Sequence, residues 1–185
     1  NRQQSIDLER TVILYKNGII SIFGYAVAIL MTVLVISKSL SKDLVEYWCL
    51  IAGFSILPRV VSLFLFYNGK NVVSLVQENA VQWERFWILS AVSAAIPFSI
   101  LPFYAFYGNE LACLLLIGVV VGSVSAASVL IAVASDYASG VFCNLVILPF
   151  IIRCFISSEY YLIILGVFYC FFYMIFMYQA LISHG

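Results

Sequence analysis

The amino-acid sequence predicts an all-α, polytopic integral membrane protein with six transmembrane helices, arranged as three antiparallel hairpins in one bundle. Hydrophobic residues make up 64% of the 185 residues and charged residues only 10%, whereas ordinary soluble domains carry roughly 25% charged residues. The mean hydropathy of +1.09 points the same way. The apolar residues form six runs of about 20 residues, the length that crosses a bilayer. The runs are continuous rather than alternating, which favours helices over barrel strands.

Polar connectors separate the six predicted spans, which cover residues 18–37, 44–67, 85–107, 111–135, 138–156 and 160–182. Most connectors are short and rich in Ser, Gly and Asn, and such short connections make neighbouring helices antiparallel. The longest begins at Asn68 and runs to about Glu84. We therefore divide the chain into an interfacial N-terminal segment (1–17), a six-helix domain (18–182) and the start of a cytoplasmic connector (183–185).

The distribution of basic residues predicts the orientation. Five of them fall on the side of the termini, namely Arg2, Arg10, Lys16, Lys70 and Arg85. Three fall on the other side or close to it, namely Lys38, Lys42 and Arg153. The positive-inside rule then favours cytoplasmic termini. Nothing in this balance of nine basic and nine acidic residues suggests a nucleic-acid partner.

Aromatic residues cluster where the predicted spans meet water. Amphipathic rings favour the headgroup level of a bilayer, so we interpret them as membrane anchors rather than as ligand contacts. The set comprises Tyr47, Trp48, Trp83, Trp87, Tyr104, Tyr107, Tyr160, Tyr161 and Tyr178.

Arg59 is a basic residue inside the second apolar run. A charged side chain within a membrane costs a few kcal/mol on insertion scales, so it is either functional or able to escape. One interpretation is a gating charge or a contact with an anionic ligand. The other is an arginine whose long side chain reaches the cytoplasmic headgroups. Its neighbour Pro58 frees a backbone carbonyl and predicts a kink.

Span four carries small residues on one face. Gly118, Gly122 and Ala126 recur every four residues, which allows a second helix to approach closely. This face is either a dimer interface or sliding surface, or a packing surface inside the bundle. In either case we expect the fourth helix to lie at the centre.

Polar and kinking residues complete the candidate site. Ser125 and Asn144 join Arg59 as candidate ligand-binding or gating residues, since Asn144 can bond across to another helix. Broken helices line ligand cavities in transporters, although membrane helices also tolerate proline in general. The prolines inside the spans are Pro58, Pro97, Pro102 and Pro149.

The sequence offers no catalytic or metal site. The five cysteines are far apart and the one histidine lies at position 184, so zinc spacing, a bis-histidine haem site and triad catalysis have no candidates. Neither a phosphate-binding loop nor a pair of intramembrane carboxylates is present. We expect no cofactor.

The layout resembles the multi-spanning, MASE-like N-terminal sensor domains of bacterial hybrid histidine kinases and cyclic-di-GMP enzymes. The likeness is carried by a basic-apolar lead-in (10–17), Arg59 before a polar loop, the 82–87 segment that opens span three, the small-residue stretch 118–134, Pro149 and an aromatic sixth helix. In such receptors the last span continues into a cytoplasmic coiled coil and a catalytic module, and this chain stops where that connector begins.

The resemblance implies a sensory input domain in the bacterial inner membrane, with both termini cytoplasmic. It would detect a small or membrane-proximal signal within the bundle and relay it through the last helix to a histidine kinase or diguanylate cyclase. The expected partners are membrane lipids, an unidentified small-molecule signal and, by analogy with receptor kinases, a second copy. The alternatives are a small transporter or channel subunit, with a polar path through Ser123, Ser125, Ser128, Asn144 and Arg59, and a structural or assembly protein.

Overall fold

The computed structural model describes residues 2–68, 72–104, 111–131, 136–157 and 159–182, with side chains at 9, 11–68, 82–104, 113–127, 138, 140–157 and 159–178. Within these residues the chain is helical and forms six helices. They are α1 (Arg2–Ile36), α2 (Lys42–Asn68), α3 (Val72–Tyr104), α4 (Leu111–Ile131), α5 (Asp136–Ile156) and α6 (Tyr160–Ile182).

Among the residues whose side chains are described, four helices are long and apolar enough to cross a membrane. These stretches are Thr11–Ile36, Lys42–Asn68, Gln82–Tyr104 and Tyr160–Tyr178. The corresponding stretches of α4 and α5, Cys113–Ala127 and Gly140–Ile156, are apolar but shorter. The chain is thus an all-helical protein whose composition suits a membrane.

Two helices begin earlier than the apolar runs indicate. α1 is continuous from Arg2, so the boundary proposed at residue 18 falls inside one helix. α3 begins at Val72, so most of the predicted connector to Glu84 is helical. The segment 72–84 contains neither Gly nor Pro, and straight-chain residues such as Gln and Glu favour helix whether or not it lies in lipid.

α3, rather than the predicted α4, is the central helix. It packs mainly against α2 and α5, also contacts α1, and touches α4 only slightly. Half of its apolar stretch is buried, against 22% for α1, 28% for α2 and 17% for α6. Small buried residues at helical spacing, Ser90, Ala91, Ala94 and Ala95, let the neighbouring helices approach.

The remaining helices pack around this centre. α5 also contacts α4 and α6, while α1 packs against α2, α3 and α4. The larger apolar core contains Trp48, Phe98, Ile117, Ile147 and Phe150, all fully buried. A smaller cluster near the start of α1 contains Leu14, Tyr15, Phe66 and Trp87.

Two tryptophans predicted as membrane anchors are buried instead. Trp48 is 0% exposed and its Nε1 donates to the Pro97 carbonyl oxygen at 2.8 Å, which ties α2 to α3. Trp87 is 1% exposed. Other members of the predicted belt do face outward, including Tyr47, Tyr160, Tyr161 and Tyr178. The prediction is therefore wrong for Trp48, whose indole N–H finds an acceptor inside the bundle. It is also wrong for Trp87, whose ring packs against Tyr15 and the guanidinium of Arg59.

The core predicts a contrast between two phenylalanines. Phe98 on α3 is fully buried between Tyr25 and Trp48, whereas Phe54 on α2 is 69% exposed. We expect Phe98→Ala to lower the free energy of unfolding by roughly 2 kcal/mol, mainly through the cavity left behind, because lipid tails already solvate the separated helices. Phe54→Ala should change it by less than about 0.5 kcal/mol. Unfolding in mixed micelles titrated with dodecyl sulfate measures both changes in the free energy of unfolding. Equal losses of stability in the two variants would contradict the assigned core.

Candidate functional site

A buried arginine joins the first three helices. Arg59 on α2 is 9% exposed, and its Nη1 donates a hydrogen bond to Ser21 Oγ on α1 at 2.6 Å. The guanidinium carbon lies 4.6 Å from the ring centre of Trp87 on α3, within the range of a cation–π interaction. One side chain therefore holds three helices in contact.

The guanidinium lies inside the bundle. Its partner Ser21 is five residues, or about 7.5 Å, beyond the exposed Lys16 along α1, at 1.5 Å per residue. A side chain reaching for the headgroups would extend toward the helix end, whereas Arg59 turns inward to Ser21 and Trp87. The guanidinium of Arg59 is therefore held by neighbouring helices rather than by the headgroup region.

The charge of Arg59 has no anionic partner among the side chains that the structure describes. Among residues with described side chains, no carboxylate lies within ion-pair distance of its guanidinium, and its Nε has no hydrogen-bond acceptor. The Nε1 of Trp87 is likewise buried without an acceptor. Arginine keeps its proton in proteins, so this group is suited to holding a charge rather than to transferring protons.

Aromatic and hydroxyl side chains make the surroundings of Arg59 rigid. The Tyr15 ring stacks on Phe66, with centroids 4.2 Å apart, and meets Trp87 edge-on. The hydroxyl groups of Tyr25 and Ser55 are 2.5 Å apart, joining α1 to α2 one turn of helix away. These contacts fix the position of the guanidinium before any ligand arrives.

A cavity of about 700 Å³ begins beside Arg59 and extends between α1 and α4. This volume is within the usual range for small-molecule pockets. Arg59, Ser21 and Trp87 line one end, and Lys38 lines the other. Its side walls are apolar and include residues that are exposed on the bundle surface, so the cavity opens sideways; these are Val27, Met31, Leu34, Leu116 and Val119.

Of the other predicted polar residues, Ser123 lines the same cavity as Arg59, whereas Asn144 and Ser125 lie elsewhere. Asn144 sits between α5 and α6, where its Nδ2 donates to the Gly140 carbonyl oxygen at 2.8 Å and its Oδ1 accepts from the Tyr173 hydroxyl. Ser125 is fully buried, and its carbonyl oxygen faces the Cys143 thiol across the contact between α4 and α5. The structure thus does not bring Asn144 or Ser125 together with Arg59. The Ser128 side chain lies outside the described residues.

The small residues of α4 pack inside the bundle. A Cβ added at Gly118 would come within 2.8 Å of Phe150, and one at Gly122 within 2.9 Å of the Tyr169 hydroxyl. The same Tyr169 hydroxyl donates to the Gly118 carbonyl oxygen, which ties α6 to α4. Ala126, the third predicted member, is half-buried.

The remaining predicted positions are structural. Pro58, Pro97, Pro102 and Pro149 lie inside helices. All five cysteines are free thiols. No group of His, Cys, Asp and Glu that could hold a metal occurs among the residues the structure describes.

Sequence reasoning missed the partners of Arg59. Ser21 stands in an otherwise apolar run, and Trp87 lies at the start of one, where a membrane anchor is the usual interpretation. The polarity of Ser21 and Trp87 was the sequence signal that could have identified them as partners, because a buried arginine is stabilised by acceptors and a π face from neighbouring helices. The pairing itself depends on how the helices meet.

No protein-family model, curated protein or solved structure matches this chain.

The Arg59–Ser21 hydrogen bond predicts a specific loss of stability. Ser21→Ala should lower the free energy of unfolding by roughly 1.5–3 kcal/mol, since it removes a hydrogen bond to a charged group. Ser99→Ala is the matched control, because the Ser99 hydroxyl bonds only within its own helix, to the Ile96 carbonyl oxygen. In an Arg59→Met background the cost of Ser21→Ala should disappear. An equal cost in both backgrounds would show that the hydrogen bond does not carry the effect.

Proposed function

We propose that this chain is a six-span membrane domain that binds a small lipophilic ligand between α1 and α4 and acts as the input domain of a bacterial signalling receptor. The observation that carries the proposal is the cavity beside Arg59, which combines largely apolar walls with one buried cation that pairs with no carboxylate in the described part of the chain. Pockets of this kind, mostly apolar with a few fixed polar groups, are the usual form of small-molecule sites.

The helix lengths support six spans. α4 and α5 contain 21 residues each, which corresponds to about 31 Å of helix, close to the thickness of a hydrocarbon core. Six spans place both termini on one side. The excess of basic residues on that side favours the cytoplasm of a bacterial inner membrane.

The contacts between helices suggest how a bound ligand acts on α6. The ligand touches α4, and α4 is joined to α6 by the bond from Tyr169 to the Gly118 carbonyl oxygen. α5, which also lines the cavity through Phe142, is joined to α6 by Tyr173 and Asn144. A ligand that prefers one spacing of α1 and α4 therefore biases the position of α6 by its differential affinity. In a receptor of the MASE-like kind, α6 passes this shift to a histidine kinase or a cyclic-di-GMP enzyme.

Binding is favoured over conduction because the predicted polar path is divided. Ser125 and Asn144 face other helix contacts, and the cavity walls between Arg59 and Lys38 are apolar apart from Ser21, Ser39, Ser123 and the Tyr25 hydroxyl. A transporter site instead gathers polar groups and half-helix ends around the membrane midplane.

Two glycines allow a matched test of ligand binding. Gly24 lines the cavity and Gly53 lies on α2 away from it, and a Cβ at either position meets no atom within 4 Å. We expect Gly24→Trp to fill the cavity and abolish signal-dependent output from a fusion of this chain to a reporter kinase. Gly53→Trp should leave the response intact. Responses that survive in Gly24→Trp, with the protein present at its normal level, would refute binding in this cavity.

The number of spans is tested at Asp136, the first residue of α5. With six spans Asp136→Cys lies on the cytoplasmic side with Gln82→Cys, whereas with four spans it lies on the opposite side with Glu159→Cys. We expect a membrane-impermeant maleimide added to intact cells to label Glu159→Cys but not Gln82→Cys or Asp136→Cys. The unmodified chain, with its five cysteines, gives the background. Labelling of Asp136→Cys in intact cells would contradict six spans.

A further inference from the structure

We propose that the ligand of this cavity is an anionic amphiphile, with a carboxylate or phosphate headgroup bound by Arg59 and a hydrocarbon chain lying between α1 and α4. This inference rests on the proposed function and specifies the chemistry of its ligand. The source is either a free fatty acid or an anionic membrane lipid, since the two share a headgroup charge and a chain.

The headgroup assignment follows from the charge of the site. Arg59 is nine-tenths buried, and no carboxylate with a described side chain pairs with it. A buried charge is stable only when it is paired and hydrogen-bonded, and Ser21 and the π face of Trp87 supply no negative charge. An anion completes the site, whereas a neutral ligand leaves the cation unpaired.

The donors available match a headgroup oxygen. Arg59 Nε and Trp87 Nε1 are both buried N–H groups without acceptors, and they belong to two side chains that already lie against each other. Guanidinium groups bind carboxylates and phosphates through two N–H groups at once. Both N–H groups are closed to solvent in this structure, so they bond to a headgroup oxygen only if the surrounding side chains move, and the direct contribution of the site is the charge of Arg59.

The chain assignment follows from the shape of the cavity. Between Ser21 and Lys38 the lining of α1 extends about 25 Å, at 1.5 Å per residue. This stretch is walled by Val27, Met31 and Leu34 from α1 and by Leu116 and Val119 from α4. A long, apolar slot that opens sideways accommodates an acyl chain and lets it enter from the hydrocarbon of the bilayer.

Bromine-labelled probes test this inference on the full chain in neutral detergent micelles. Bromine quenches tryptophan fluorescence at short range, and Trp87 lies in the wall of the site. We use 9,10-dibromostearate at alkaline pH, the uncharged dibrominated octadecanol, and a dibrominated phosphatidylglycerol. The acid or the phospholipid should quench the tryptophan fluorescence saturably. The affinity of the alcohol should be lower by about tenfold or more.

Variants assign the headgroup to Arg59. Arg59→Gln should weaken binding of the anionic probe about tenfold or more, while Lys16→Gln, an exposed cation on α1, should leave it unchanged. Arg59→Lys keeps the charge but loses the paired donors, so its affinity for the anionic probe should fall between those of Arg59→Gln and Lys16→Gln. If Arg59→Gln does not fold, comparing the affinities of the acid and the alcohol for the unmodified protein still tests whether the site prefers an anionic headgroup.

Each contrary outcome has a distinct meaning. Equal binding of the acid and the alcohol would overturn the anionic headgroup but leave ligand binding in the cavity intact. Saturable quenching by none of the three probes would overturn the inference and the proposed function together. A loss in Lys38→Gln but not in Arg59→Gln would overturn the placement of the headgroup. Quenching by the phospholipid alone, with the same dependence on Arg59, would support the inference and identify a membrane lipid as the source.

Discussion

The guanidinium of Arg59, held between a serine of α1 and an indole of α3, is the contact on which the first half of the bundle depends. In hydrocarbon no water is available to solvate a cation, so the helices that supply its partners must stay adjacent. The neighbouring polar contacts reinforce this arrangement. Tyr25 joins α1 to α2 through Ser55, and Trp48 joins α2 to α3 through the Pro97 carbonyl oxygen. A charge that is costly in isolation thus fixes which helices meet.

The second half of the bundle is held by close approach and by neutral hydrogen bonds. Tyrosines of α6 bond to α4 and α5, at the Gly118 carbonyl oxygen and at Asn144. Gly166 of α6 lies against Cys154 of α5, where an added Cβ would come within 2.9 Å. Between lipid-solvated helices, such packing and bonding replace the hydrophobic effect as the source of association. The cavity lies where α1, from the first half, meets α4, from the second.

The sequence predicted the helices better than the contacts between them. The predicted spans 138–156 and 160–182 nearly coincide with α5 and α6, because the turn residues that bound an apolar run also mark the ends of the helix. The early start of α3 was missed because polarity reports the environment of a helix rather than its ends. Arg59 stood out by its charge, whereas Ser21 and Trp87 became site residues only through packing. Hydropathy carries no information on which face meets which neighbour, and this also explains why α4 was predicted at the centre instead of α3.

The sideways opening of the cavity has a consequence for how occupancy is controlled. A ligand that reaches the site through the bilayer is first concentrated there by partitioning, so the relevant variable is its mole fraction among the lipids rather than its concentration in water. The same total dose then gives lower occupancy when more membrane is present. Under the proposed function, such a protein would report the composition of the membrane around it, and changes in lipid metabolism would reach it without any ligand crossing the aqueous phase.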